Sequence, residues 1–186
     1  SSGANQPTII LLQGFPGNEK DVLGLGKTIS ESGFNVLVFN YSGTHRSEGI
    51  FTLQTVLSDI KSAFDYVHEP ESLAKFRIDS TKLVLGGYSF GGGMALTYAA
   101  SHPEVQRVFS IAGTDHGEFA REYRRNQAMA SQLDSMFDQL KRPNGPINFD
   151  GKDVLRKLAD DPSPFDLRLV APKLASRDIL LVGGWD

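Results

Sequence analysis

Cysteine is absent from the 186 residues, so the chain has no disulfide and no thiolate metal site. Redox chemistry is therefore silent on the compartment. Neither sign of charge is in excess: 19 basic and 22 acidic residues leave a net charge of −3, with no long run of either. That balance speaks against nucleic acid or any polyanionic surface as a partner. The longest apolar stretches are strand-sized, far below the roughly twenty residues of a membrane span. No internal repeat or low-complexity tract occurs, and "SSGANQP" at the start lacks the basic-then-apolar pattern of a signal peptide. It reads as a linker or a processed start. The length suits one domain with a sizeable core.

Glycine, by contrast, is plentiful, and it gathers around one serine in "LVLGGYSFGGGMAL", residues 83–96. The apolar run Leu83 to Leu85 after "DSTK" predicts a buried strand, and Phe90 to Ser101 predicts a helix ended by His102-Pro103. Ser89 falls at the joint. A serine there presents its hydroxyl outward only if the backbone turns sharply, which forces the residues two before and two after to be small. They are Gly87 and Gly91. The helix start also aims free N–H groups and a positive dipole end at whatever Ser89 attacks. A Walker phosphate loop needs Gly-Lys-Ser/Thr, which is missing, and "GGYSFGGG" does not fit a dinucleotide fingerprint. The pattern points to a nucleophile.

The remaining segments alternate. "TIILLQGFPG" predicts a strand over 8–12 and a turn, and "EKDVLGLGKTISESG" a helix with Gly33 past its end. "FNVLVFNYSG" predicts a second strand, and "TLQTVLSDIKSAFDYVHE" a helix begun by Thr52 and stopped by Pro70. After the Ser89 strand and helix come "VQRVFSIAG" and "DILLVGG". Alternation of this kind implies a parallel sheet covered by helices on both faces. Residues 114–176 break it: Glu118 to Leu140 is helix-like and polar, followed by five prolines. So long an insertion at the ligand-binding end of a sheet is expected to be a lid or cap on a single domain spanning 1–186.

With these parts placed, the sequence resembles the α/β-hydrolase family along nearly its whole length. "GYSFGG" looks like the family's nucleophile elbow. "QGFPG" at 13–17 is similar to its oxyanion turn, with Gln13 in place of the usual histidine, and "FNYSGTHRSEG" resembles the loop after the fourth family strand, matching at Gly43 and Ser47. "ILLVGGWD" resembles the seventh family strand and its Gly-x-x-Asp. The resemblance implies a doubly wound, mostly parallel sheet with a lid between the sixth and seventh family strands. It also implies Ser89 as nucleophile, Asp186 as acid, and the N–H groups of Phe15 and Phe90 as the oxyanion hole; Asp115 is the rival acid. Gln13 is expected to tie its turn down.

The base that this chemistry needs is not evident. His45, His68, His102 and His116 all precede Asp186, whereas the family places its histidine after the acid. His116, beside Asp115 and near Glu118, reads more readily as part of a solvated helix start than as a metal ligand or a relocated base. In the family's strand order "NVLVF" and "ILLV" would be bare apolar edges, an aggregation hazard. The expectation is that the chain is truncated at both ends and that the histidine follows Asp186.

These features imply a serine hydrolase acting on a small-molecule ester, without organic cofactor or metal. A peptidase of prolyl-oligopeptidase type and a non-catalytic hydrolase-like binding protein are the rivals. Tyr88 and Trp185, with Phe15 and Phe90, are candidates for an apolar substrate pocket, and Arg121, Arg124 and Arg125 for a solvated helix face. Nothing in the sequence fixes the oligomeric state or the compartment.

Overall fold

The computed structural model describes residues 4–17 and 21–184. The sheet's first strand is β1, Gln6–Leu12, whose Ile9, Ile10, Leu11 and Leu12 are all buried. β1 is paired on both edges: β2, Asn35–Leu37, lies on one side and β3, Ile78–Tyr88, on the other, both parallel. Beyond β3 lie β4, Arg107–Ile111, and β5, Asp178–Val182, giving the order β2-β1-β3-β4-β5. Every pairing is parallel.

The alternation of side chains along β1 sorts the core into two layers. Ile10 and Leu12 face the larger one, with α2, Leu53–His68, and α4, Phe90–Ser101; Ile9 and Leu11 face the smaller, with Val22 and α1, Leu25–Glu31. Helix α4 is buried from Phe90 through Ala100, as a helix apolar all round must be. Its glycines and alanines let it lie against the strands.

Several boundaries differ from the expected ones, each for a local reason. β2 is three residues long rather than a long edge. Pro70 does not simply stop a helix; it opens a second one, α3, Pro70–Phe76, at a position where its missing N–H has no partner to lose. "DSTK" lies inside β3 as a bulge: Gln6 pairs Ile78 and Thr8 pairs Leu83, and the Asp79 carboxylate accepts from the Thr81 N–H at 3.1 Å and its hydroxyl at 2.6 Å. β5 is exposed, with Leu180 at 60% and Leu181 at 66%, as the family's strand order implied for "ILLV" at an edge. It is the sheet's outer strand and has a neighbour, β4, on one side.

Between β4 and β5 run α5, His116–Arg125, α6, Gln127–Leu140, α7, Gly151–Asp160, and the short α8, Leu167–Val170. The expected single helix over 118–140 is two, because Asn126 ends α5 in extended backbone and turns its side chain to cap α6 at the Met129 N–H, 3.1 Å away. The segment is tied down at two places. Residues 43–51 and 146–148 exchange backbone hydrogen bonds, including Asn148 N–H to Gly43 O at 2.7 Å. Arg121 joins buried Asp166 at 2.6 Å and Glu118 at 2.8 Å. Burial alone would raise the Asp166 carboxyl; the Arg121 and Arg168 hydrogen bonds outweigh it and hold the pKa below the usual carboxylate value. Arg124 pairs with Asp160 at 2.8 Å and Arg125 with Glu118 at 2.7 Å, so this arginine face is engaged within the chain.

Candidate active site

Ser89 sits between β3 and α4 with φ 52° and ψ −119°, a conformation that L residues rarely adopt. Such strain costs about 1–3 kcal/mol and persists only when the surroundings fix it. Here the Ser89 N–H donates to Ile111 O at 2.9 Å, and its carbonyl accepts from the N–H groups of Gly93 at 3.2 Å and Thr114 at 3.1 Å. β4 and the residues after it thus clamp the turn from one side. The flanking glycines explain themselves by contact. A Cβ at Gly87 would lie 2.4 Å from the Gly91 carbonyl carbon, and one at Gly91 would lie 2.4 Å from Gln13 O and 2.6 Å from Leu12 O. These are backbone atoms, which cannot swing aside.

The turn after β1 comes alongside. Gln13 is 2% exposed; its side-chain amide donates to Phe39 O at 2.6 Å and Asn40 Oδ1 at 3.2 Å, and its carbonyl accepts from the Tyr41 hydroxyl at 2.8 Å. Burial raises the Tyr41 pKa, so this hydroxyl stays a donor. A Cβ at Gly14 would stand 3.6 Å from the Ser89 Cβ, which sets the turn against Ser89. Phe15 and Phe90 meet with ring centroids 6.0 Å apart. Among the described residues neither of their N–H groups is taken by a turn, loop or cap carbonyl.

Ser89, Phe15 and Phe90 all line one cavity of about 180 Å³. Its other walls come from Phe51, before α2, and from the segment between β4 and β5, chiefly Phe137, Phe149 and Leu155. Sequence reading missed these walls. They lie far apart along the chain, and each is one apolar residue among many. Tyr88 does not line the cavity. Preceding Ser89 by one residue on the strand, it points to the opposite layer and packs with Ile9 and Leu11. Trp185 and Asp186 lie outside the described residues. Asp115 caps α5, its Oδ1 accepting from the Glu118 N–H at 2.9 Å.

His116 is not the solvated helix start that its neighbours suggested. It is 4% exposed, lines the cavity, and meets the Phe90 ring edge-on at 4.8 Å. Both ring nitrogens are buried without a hydrogen-bond partner, and burial pushes the pKa from 6.5 down to about 4. So low a value makes it a weak base for a serine hydroxyl. His68 and His102 bond to carbonyls of their own helices, Phe64 O at 2.7 Å and Tyr98 O at 2.9 Å.

A pH prediction follows from His116. Its folded pKa is depressed, so its contribution to stability is intact above 6.5 and is lost as pH falls toward 4. Between pH 7 and pH 5 the wild type should lose about 2 kcal/mol from this group. His116→Leu should remove that loss, while carboxylates such as Asp166 and Glu118, whose pKa values are lowered, act at more acid pH. Urea midpoints at the two pH values measure it. An equal drop in both proteins would place the titration elsewhere.

Residues 7–149 match the family model described as the alpha/beta hydrolase fold, and the chain belongs to that family. Proline iminopeptidase of Saccharolobus solfataricus is 32% identical over 115 residues, 59% of this chain and 34% of that protein. Cutinase 2 of Thermobifida cellulosilytica is 28% identical over 104 residues, 55% of this chain and 38% of that one. The matched stretches thus span little more than a third of either relative. Among solved structures, a hypothetical protein from Pseudomonas aeruginosa superposes with a TM-score of 0.65 at 18% identity, over 98% of this chain and 70% of the other. Among the described residues no helix is long and apolar enough to cross a membrane.

Proposed function

We propose that the protein hydrolyses a small-molecule ester through an acyl-enzyme on Ser89. The strained placement of Ser89 at the head of α4, wedged by glycines against backbone, is the observation that carries this reading. Ser89 Oγ attacks the ester carbonyl and loses its proton to a base; the carbonyl oxygen becomes an oxyanion held by the Phe15 and Phe90 N–H groups. Collapse expels the alcohol, which takes up the proton. Water then repeats the sequence on the acyl-enzyme, releasing the acid and restoring the hydroxyl. Asp186 is the acid that orients the base, and residues 114–176 form the lid of a single hydrolase domain.

A fluorophosphonate probe tests the reading. It should label wild-type protein at Ser89, and a native fold that stays unlabelled would leave a binding protein with a hydrolase scaffold. A second reading, cleavage of an amide bond, is favoured by the proline iminopeptidase relative. Matched ester and anilide substrates separate the two.

The acid assignment is tested by two conservative changes. Asp186→Asn should lower kcat by about 10⁴, since asparagine cannot stabilise a charged histidine. Asp115→Asn should change kcat little, because asparagine caps α5 as well as aspartate does. The reverse ranking would move the acid to the end of β4.

A further inference from the structure

The acyl-enzyme reading leaves the apolar cavity beside Ser89 without a tenant. We infer, resting on that reading, that the cavity is an acyl subsite for an uncharged group with the bulk of one phenyl ring, such as benzoyl or phenylacetyl. Long alkyl chains and charged acyl groups are turned away.

Size is the first argument. The cavity holds about 180 Å³, close to the ~150 Å³ apolar cavity that stays dry and takes up benzene. Its lining is the second. Among the described residues no carboxylate, lysine or arginine contributes, and the titratable group in the lining, His116, is neutral in the folded protein near pH 7. A charged acyl group would enter without a counter-charge and lose its hydration. The third argument is aromatic geometry. The Phe15 ring lies 5.4 Å from Phe51, 5.8 Å from Phe137 and 6.1 Å from Phe149, all tilted by 52–79°. Such a cage offers edges and faces to a further ring, the arrangement aromatic pairs prefer.

Position decides between the two halves of an ester. Ser89, Phe15 and Phe90 share this cavity, and under the acyl-enzyme reading the acyl carbonyl is bonded to Ser89, so the acyl group is the part tethered at the cavity. The acyl part stays bonded to Ser89 while the alcohol must depart and water enter. An apolar cavity beside Ser89 suits the part that stays.

The far wall sets the length limit. Phe137, Phe149, Leu155 and Leu158 are all buried, and a Cβ at Gly151 would already lie 2.6 Å from the Phe137 Cβ. On this side the cavity has no slack.

The test uses the full natural chain and p-nitrophenyl esters of acetic, benzoic, phenylacetic, hexanoic, decanoic and succinic acids. Benzoate or phenylacetate should exceed acetate in kcat/KM by about 10- to 100-fold, the gain from burying one ring. Decanoate and succinate should fall below the aromatic esters by at least about tenfold. Phe137→Leu should shift the optimum toward hexanoate. A parallel series of acetate esters varied in the alcohol should show no such preference. Independently of turnover, benzene titrated calorimetrically into Ser89→Ala should bind saturably, and Val154→Trp, which fills the cavity from α7, should abolish the binding. A flat acyl profile, or ring preference that follows the alcohol, overturns the inference. So does failure of benzene to bind. Benzene uptake without hydrolysis of any ester would instead sink the esterase reading and leave the cavity as an aromatic binding site.

Discussion

Alanine at position 89 is expected to remove ester hydrolysis by about six orders of magnitude, the loss seen when a triad nucleophile is deleted. The protein should remain folded. The Ser89 hydrogen bonds that fix the turn are made by its backbone, from N–H to Ile111 O and from its carbonyl to Gly93 and Thr114, and alanine keeps all three. Without the hydroxyl, no acyl-enzyme forms and only the binding contribution of the oxyanion donors and cavity remains. p-Nitrophenyl acetate hydrolysis beside far-ultraviolet circular dichroism decides the matter. Near-native turnover in a folded Ser89→Ala protein would remove the serine from the chemistry.

Gly91→Ala is expected to injure both the fold and the site with a single methyl group. Its Cβ would press on Gln13 O at 2.4 Å and Leu12 O at 2.6 Å, distances that require α4 and the turn after β1 to separate. Overpacking of a closed core costs about 3 kcal/mol at its upper ordinary range. Here the two bodies pushed apart carry the Phe90 and Phe15 N–H groups. Losing even one oxyanion donor lowers turnover by about 10²–10³. The variant should therefore show a lowered urea midpoint together with a kcat deficit of that order. Gly24→Ala is a fitting contrast: Gly24 has positive φ, unlike Gly91, and nothing lies within 4 Å of its Cβ position. It should cost stability through backbone strain and leave kcat unchanged. If Gly91→Ala were as active as the wild type, the close approach of α4 to the Gln13 turn would be irrelevant to catalysis.

The contrast between these glycines shows how much could be read beforehand. G-x-S-x-G was legible because the constraint is local: a serine at a strand-to-helix joint needs small neighbours, and spacing alone records that. The alternation of elements was legible because each strand and helix writes its own periodicity, and from it came the parallel, helix-covered sheet. Resemblance to the family supplied the strand order, which composition does not encode. Gln13 was correctly expected to tie its turn, because a polar residue after a buried strand has few other uses.

What tertiary structure decided is of a different kind. Tyr88 and Phe90 flank the same serine, yet one went to the layer of Ile9 and Leu11 and the other to the cavity, since the turn between strand and helix reorients everything after it. Phe51, Phe137 and Phe149 have no sequence signal that sets them apart from ordinary core residues; they meet around Phe15, and Phe51 and Phe149 lie where loop 43–51 and residues 146–148 exchange hydrogen bonds. His116 looked solvated beside two carboxylates. Asp115 instead turns its carboxylate back to cap α5, Glu118 turns to Arg121, and the imidazole is left facing Phe90. The sequence alone determined the turn at Ser89 and the class of sheet, because those constraints act between residues a few positions apart. The shape, polarity and occupant size of the cavity were settled only by packing, because they depend on which distant segments meet and on which face each side chain leaves the backbone.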